Sequence, residues 1–128
     1  MNVLFMTGSH PRHAYMARCI EASGFLSALV IEEREAHIPS PDTKLDNNLK
    51  KLFINHFRKR SDAENHFFGD YLLPNINTLN VNRNSLNSLS TQNFIKSVDP
   101  DLIISYGVHI LDDEIISLAK HESWNIHG

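Results

Sequence analysis

Two side chains near the end of the chain offer chemistry: the carboxamide of Asn125 and the imidazole of His127, in Ser123-Trp124-Asn125-Ile126-His127-Gly128. A neutral amide donates hydrogen bonds without carrying charge, and an imidazole, with an ordinary pKa of about 6.5, trades protons near neutrality. If residues 123 to 127 form a strand, alternate side chains share a face, so Asn125 and His127 emerge side by side while Trp124 and Ile126 point the other way. Taken alone, the pair is more simply polar residues where a strand runs into solvent. A second cluster is the turn Gly8-Ser9-His10-Pro11-Arg12-His13. Backbone N–H groups at a helix start attract anions, and Arg12 can add a bidentate phosphate contact. Equally, His10 and His13 are ordinary turn and first-turn surface residues. A metal held by His10 and His13 is not expected, because no carboxylate or cysteine pattern completes a shell.

The elements around the first pair have a clear order. Leu102 to Ser105 is a short β-branched run behind Pro100 and ahead of Gly107, as in a buried strand of a parallel sheet. Asp112 and Asp113 then supply an N-cap for a short helix carrying Ile115, Ile116 and Leu118, with Lys120 and His121 at its C-terminal end. A strand over 123 to 127 completes a β-loop-α-β unit. Its carboxyl end is where open α/β sheets build ligand crevices.

Tyr106-Gly107-Val108-His109-Ile110-Leu111 followed, one helix later, by Asn125-Ile126-His127-Gly128 resembles the family that moves a formyl group from 10-formyltetrahydrofolate to an amine. That family includes methionyl-tRNA, glycinamide ribonucleotide and amino-sugar formyltransferases. The resemblance implies a formyltransferase fold, 10-formyltetrahydrofolate as formyl donor, and Asn125 and His127 as two of three catalytic residues. Asn125 would polarise the formyl group and His127 would stabilise the oxyanion or relay a proton. It further implies that the backbone of Gly107, Val108, His109, Ile110 and Leu111 meets the pterin ring. The first loop, with Gly8, Ser9, His10 and Arg12, would face the acceptor. Such a transfer passes through a tetrahedral carbon with a developing oxyanion and a nitrogen that must lose a proton, which an amide donor and an imidazole suit.

The third catalytic residue of the family, an aspartate, follows the Asn-x-His motif, and Asp112 and Asp113 precede it at a helix start. The expectation is therefore an amino-terminal portion of the catalytic domain, truncated at its C-terminus, which by itself binds folate weakly and catalyses poorly or not at all. A strand left without outer neighbours exposes an edge, which favours a homo-oligomer.

With 128 residues, 41% hydrophobic and 21% charged, the chain suits one soluble domain with a real core. The net charge of −3 disfavours broad attraction to phosphate backbones or anionic membranes. The acceptor is then expected to be a small primary amine, such as a nucleotide-linked amino sugar. Methionyl-tRNA is the alternative, and a non-catalytic nucleotide-binding or interaction module is the alternative of another class. A single cysteine, Cys19, excludes an internal disulfide, and neither a signal peptide nor a membrane span is evident, so the cytoplasm is expected.

In chain order, residues 3 to 7 read as a buried central strand, 11 to 23 as a helix with an Ala14, Ala17, Ile20 stripe ending at Gly24, and 26 to 31 as a second strand. This is half of a Rossmann-like, open, mainly parallel sheet flanked by helices. It lacks the Gly-x-Gly-x-x-Gly fingerprint, so no dinucleotide is expected. Glu32 to Pro41 reads as a surface connection, with Glu32 in a solvated loop rather than on a ribose. Residues 43 to 59 read as a helix. Ser61-Asp62-Ala63-Glu64 has the form of a capping box, which predicts a new helix to about Phe68. This helical insertion, around 43 to 71, has its aromatic residues Phe57, Phe67, Phe68 and Tyr71 assigned to the core, and its role is that of a lid or an oligomer contact. Residues 78 to 81 read as a short third strand, and Ser90 or Thr91 as the cap of a helix through Ser97 that Asp99-Pro100 ends.

Overall fold

The computed structural model describes residues 1–33 and 39–127. Its central strand, β1 (Val3–Thr7), is apolar along most of its length and buried at every position. A strand with no polar face must be covered on both sides. Leu4 and Met6 enter one core, with Ala28, Val30, Val81, Leu86, Ile95, Ile103 and Ile115. Phe5 enters the other, with Ala17, Leu29 and Ile31.

The remaining strands are β2 (Leu26–Glu32), β3 (Thr78–Val81), β4 (Leu102–Tyr106) and β5 (Glu122–Ile126). Every pairing is parallel, in the order β3-β2-β1-β4-β5. The chain steps outward from β1 to β3 and then crosses back to β4 and β5. The strand order thus reverses between β1 and β4, and the carboxyl ends of those two strands flank the crevice that an open α/β sheet uses for ligands. The fold is α/β, an open all-parallel sheet flanked by helices, and Rossmann-like. The Glu32 to Pro41 connection falls partly on 34–38, and the last residue of the Asn-x-His-Gly motif is 128; both lie outside the described residues.

Helix α1 (Pro11–Ala22) starts at Pro11, whose missing N–H costs nothing in the first turn. It packs Ala14 and Ala17 inward and stops at Ser23, followed by Gly24 at φ +80°. Cys19, beside the apolar stripe, is exposed. Helix α2 (Asn47–Phe68) is continuous, which corrects the expectation of two helices. Its cap is Asp46, whose side chain accepts the Leu49 N–H at 2.9 Å, and Ser61 lies in its interior. None of its residues is fully buried and none joins either core: Phe57 and Phe68 are half-buried, Phe67 is 70% exposed, and Tyr71, just beyond the helix, is 42% exposed. The expected core assignment fails because α2 lies against α1 rather than on the sheet. Helix α3 (Leu89–Val98) is capped by Ser88 rather than Ser90 or Thr91, buries Ile95, and ends at Asp99 in the left-handed region ahead of Pro100. The short α4 (Asp113–Ile116) follows Asp112 as its N-cap and buries Ile115.

The opposite ends of β1 and β4 are pinned by Asp101. Its Oδ2 accepts the Asn2 N–H at 2.7 Å, and Lys120 Nζ stands 3.6 Å from Oδ1. The Asn2 N–H, with help from Lys120, holds the Asp101 carboxyl below the ordinary aspartate value. A depressed folded-state pKa contributes stability above the unfolded value and loses it as pH falls through the folded one. Acidification below the ordinary carboxylate range should therefore lower the exchange protection factor at Asn2, relative to the intrinsic rate at each pH, before it affects Phe5 or Met6. Asp101→Asn should abolish that pH dependence, read by hydrogen exchange.

Candidate functional site

Asn125 and His127 stand together at the carboxyl end of β5. Asn125 Nδ2 donates to His127 Nε2 at 2.8 Å, so the two side chains share one side of the strand as alternation requires. Asn125 is paired in register with Ser105 of β4, whose hydroxyl donates to Asn125 Oδ1 at 3.1 Å. Ser105 is buried, whereas Asn125 and His127 are exposed. An anchored carbonyl oxygen leaves the amide nitrogen facing outward beside the imidazole. That gives one preoriented neutral donor and one proton-handling ring on an open sheet edge.

Beyond β4, Gly107 turns the chain at φ +70° and begins the segment to Leu111. Val108 and Leu111 pack against the core from half-buried positions, and Ile110 is 86% exposed. Its backbone is partly engaged: the His109 N–H donates to Glu32 Oε2 at 2.9 Å, and the Ile110 carbonyl accepts from Asn87 Nδ2 at 3.0 Å. A ligand using this backbone has those two groups already committed. Glu32 is fully buried, not in a solvated loop, and its Oε1 lies 2.5 Å from His109 Nδ1. The corrected placement has a physical reason. Glu32 is the last residue of β2, and its carboxylate finds two donors on the loop that leaves β4.

The first loop brings its residues to the same crevice. Gly8 is buried and Ser9 exposed. The His10 N–H donates to His13 Nδ1 at 3.3 Å, an imidazole serving where a capping-box carboxylate usually does. His13 is fully buried rather than on the surface, and its ring meets Tyr106 edge-on at 4.8 Å. A Cβ on Gly8 would lie 2.8 Å from His13 Cε1, and one on Gly107 would lie 2.6 Å from Nε2. The imidazole thus occupies the space above the ends of β1 and β4, and both glycines are the room it needs. Thr7 Oγ1 donates to the Tyr106 carbonyl at 3.0 Å and closes the same junction. Nothing in the sequence set His13 apart from His10, but one signal was there: glycines at both strand exits flanking a switch point call for a bulky group between them.

Arg12 does not project freely toward an anion. Its Nη1 donates to both oxygens of Glu64, at 2.9 and 2.8 Å, and its N–H points at the same carboxylate at 3.4 Å. Glu64, read in sequence as closing a capping box, instead sits at the start of α1 in the place of an anion. An external phosphate at this loop must displace it. Tyr15 adds ring contacts to Phe68 and Tyr71, and Arg18 Nε donates to the Leu72 carbonyl at 2.7 Å. These contacts tie α2 and the segment after it to α1. Glu64→Ala should cost roughly 1.5–3 kcal/mol of local stability, the range for hydrogen bonds to charged groups. Hydrogen exchange should rise across Asn47–Phe68 and stay unchanged in β1. Freed of its carboxylate, Arg12 should also bind inorganic phosphate more tightly.

On the other face of the sheet, an apolar groove of about 430 Å³ is lined by Met1, Val3, Phe25, Leu102, Ile104 and Trp124, among others. It lies beneath the edge strand β5, on the face opposite Asn125, and its lining also includes Ser23, Asp101, His121 and Glu122. Among the described residues no group of three or more His, Cys, Asp or Glu could hold a metal ion. Nor is any described helix long and apolar enough to cross a membrane. No protein-family model matches the chain, and no curated protein matches it.

Proposed function

We propose that the protein transfers a formyl group from 10-formyltetrahydrofolate to a small primary amine, with a nucleotide-linked amino sugar as the favoured acceptor. One observation carries the reading: the Asn125 amide and the His127 imidazole meet at 2.8 Å at the carboxyl end of β5, with the amide oxygen anchored by Ser105. The folate supplies the activated formyl group. Asn125 Nδ2 donates a hydrogen bond to the formyl oxygen as negative charge develops there, and being uncharged it does so without repelling the incoming amine. His127, next to that oxygen, holds or returns a proton. The segment 107–111 suits a flat heteroaromatic ring, since Ile110 offers exposed apolar surface while Glu32 and Asn87 hold the backbone on either side of it.

A small acceptor is favoured over methionyl-tRNA by the net charge of −3, which gives no general attraction to a polyanion. The deciding experiment uses the full-length protein with 10-formyltetrahydrofolate and three acceptors: a nucleotide-linked amino sugar, the same sugar with hydroxyl in place of amine, and methionyl-tRNA. The expected product is the formamide of the amino sugar alone, strongly reduced by His127→Ala. Absence of transfer to every amine, or transfer indifferent to His127→Ala, would return the chain to the reading of a non-catalytic nucleotide-binding module.

A further inference from the structure

A second imidazole at the carboxyl end of the sheet is organised more tightly than the first. His109 is gripped twice by one fully buried carboxylate: Glu32 Oε2 accepts its backbone N–H at 2.9 Å and Oε1 meets its ring Nδ1 at 2.5 Å. An ionised carboxylate only accepts hydrogen bonds, so the ring nitrogen facing it must carry a proton. In the neutral imidazole this leaves Nε2 as an acceptor with its lone pair available. The His109 side chain is 34% exposed while Glu32 is not exposed at all. With Glu32 ionised, this contact sets the tautomer as well as the direction of the ring. A purely structural tie does not need an imidazole, because the backbone N–H alone would satisfy one oxygen and any neutral donor the other.

We propose that Glu32 and His109 form a carboxylate–imidazole dyad whose Nε2 takes the proton from the attacking amine, with Glu32 as the positioning residue. The proposal takes its substrate, though not its acid–base chemistry, from the formyl-transfer reading. Sheet order supports the division of labour. His109 leaves β4 and reaches over β1 to Glu32 on β2, toward the first loop, whereas Asn125 and His127 lie on β5, on the other side of β4. Both imidazoles thus stand at the carboxyl end of the sheet, His109 tied to β2 and His127 beside β5. The amine nitrogen forms its bond to the formyl carbon as its own proton passes to His109 Nε2. The bond from that carbon to the folate nitrogen breaks, and this nitrogen takes up a proton from solvent. One proton leaves and one is gained, so no oxidant, reductant or further reactant is required.

The first test does not need turnover. Diethyl pyrocarbonate acylates the unprotonated nitrogen of a neutral imidazole, and peptide mapping by mass spectrometry reads each histidine separately. His109 is expected to react at Nε2 in the wild-type protein and about tenfold more slowly in Glu32→Gln, whose amide donates to Nδ1 and so moves the proton onto Nε2. In the second test His109→Asn keeps a side-chain N–H for Glu32 and removes the far nitrogen. Its kcat for formyl transfer should fall by about 10²–10⁴-fold with little change in KM, and added imidazole should restore part of it. An unreactive His109, a rate indifferent to Glu32→Gln, or full turnover by His109→Asn overturns the dyad. A reactive, Glu32-dependent His109 in a protein that formylates no amine supports the dyad and sinks the formyl-transfer reading instead.

Discussion

Gly107→Ala should lower the unfolding free energy by roughly 2–5 kcal/mol, the sum of a left-handed backbone cost and an overpacking cost. The backbone part follows from φ +70°, where an L side chain meets its own carbonyl. The packing part follows from the new Cβ, which would lie 2.6 Å from His13 Nε2 with His13 fully buried and backed by Tyr106. Gly24 separates the two. It has φ +80° but nothing within 4 Å of an added Cβ, so Gly24→Ala should show only the backbone cost, about 1–2 kcal/mol. In a His13→Ala background the penalty of Gly107→Ala should shrink to the same size, because the ring that collides is gone. Urea unfolding at constant m-value reads each of these differences. Equal penalties in both backgrounds would show that His13 does not fill the β1–β4 junction.

That junction also marks where the sequence stopped being informative. Strands β1, β2 and β4 are legible as short apolar runs ending at a turn residue or a polar one, whereas β3 and β5 are mixed in polarity; all five lie within a residue or so of the expected bounds. The side-by-side placement of Asn125 and His127 is legible from strand alternation instead. Contacts between elements distant in sequence were not. Glu32 reads as a loop acid until His109, 77 residues later, is brought over it. Glu64 reads as half of a capping box until Arg12, 52 residues earlier, is found in its grasp. A local pattern describes what a residue does to its own turn of helix, and both carboxylates act on another element. The aromatic residues of α2 were misassigned for a related reason: periodicity identifies an apolar stripe but not the surface it meets. Here it leaves Phe67 in solvent while Phe68 meets Tyr15.

Asn125→Ala should reduce kcat of formyl transfer by about 10²–10³-fold, or roughly 2.7–4 kcal/mol in barrier, the usual loss of one oxyanion donor. Its effect on stability should be small, because the side chain is exposed at the end of an edge strand and its removal leaves no cavity. This combination distinguishes the functional account from a strand-end polar residue, which would alter both quantities little, and from a buried structural amide, which would lower stability first. Asn125→Asp should be worse than alanine, since a carboxylate keeps the acceptor for Ser105 but replaces the donor with a charge of the same sign as the developing oxyanion. Ser105→Ala should cost less than either, because it frees the amide to rotate without deleting it, and His127 still accepts from Nδ2. Binding of a non-reactive folate should be nearly unchanged in all three, since the donor acts on charge that appears only during transfer. The order Asp worst, then Ala, then the Ser105 variant, with melting temperatures held together, follows only from a donor aimed at an oxyanion. If Asn125→Asp proved as active as the wild-type protein, the amide would have some other task, and the proton-handling pair on the far side of β4 would have to carry the chemistry by itself.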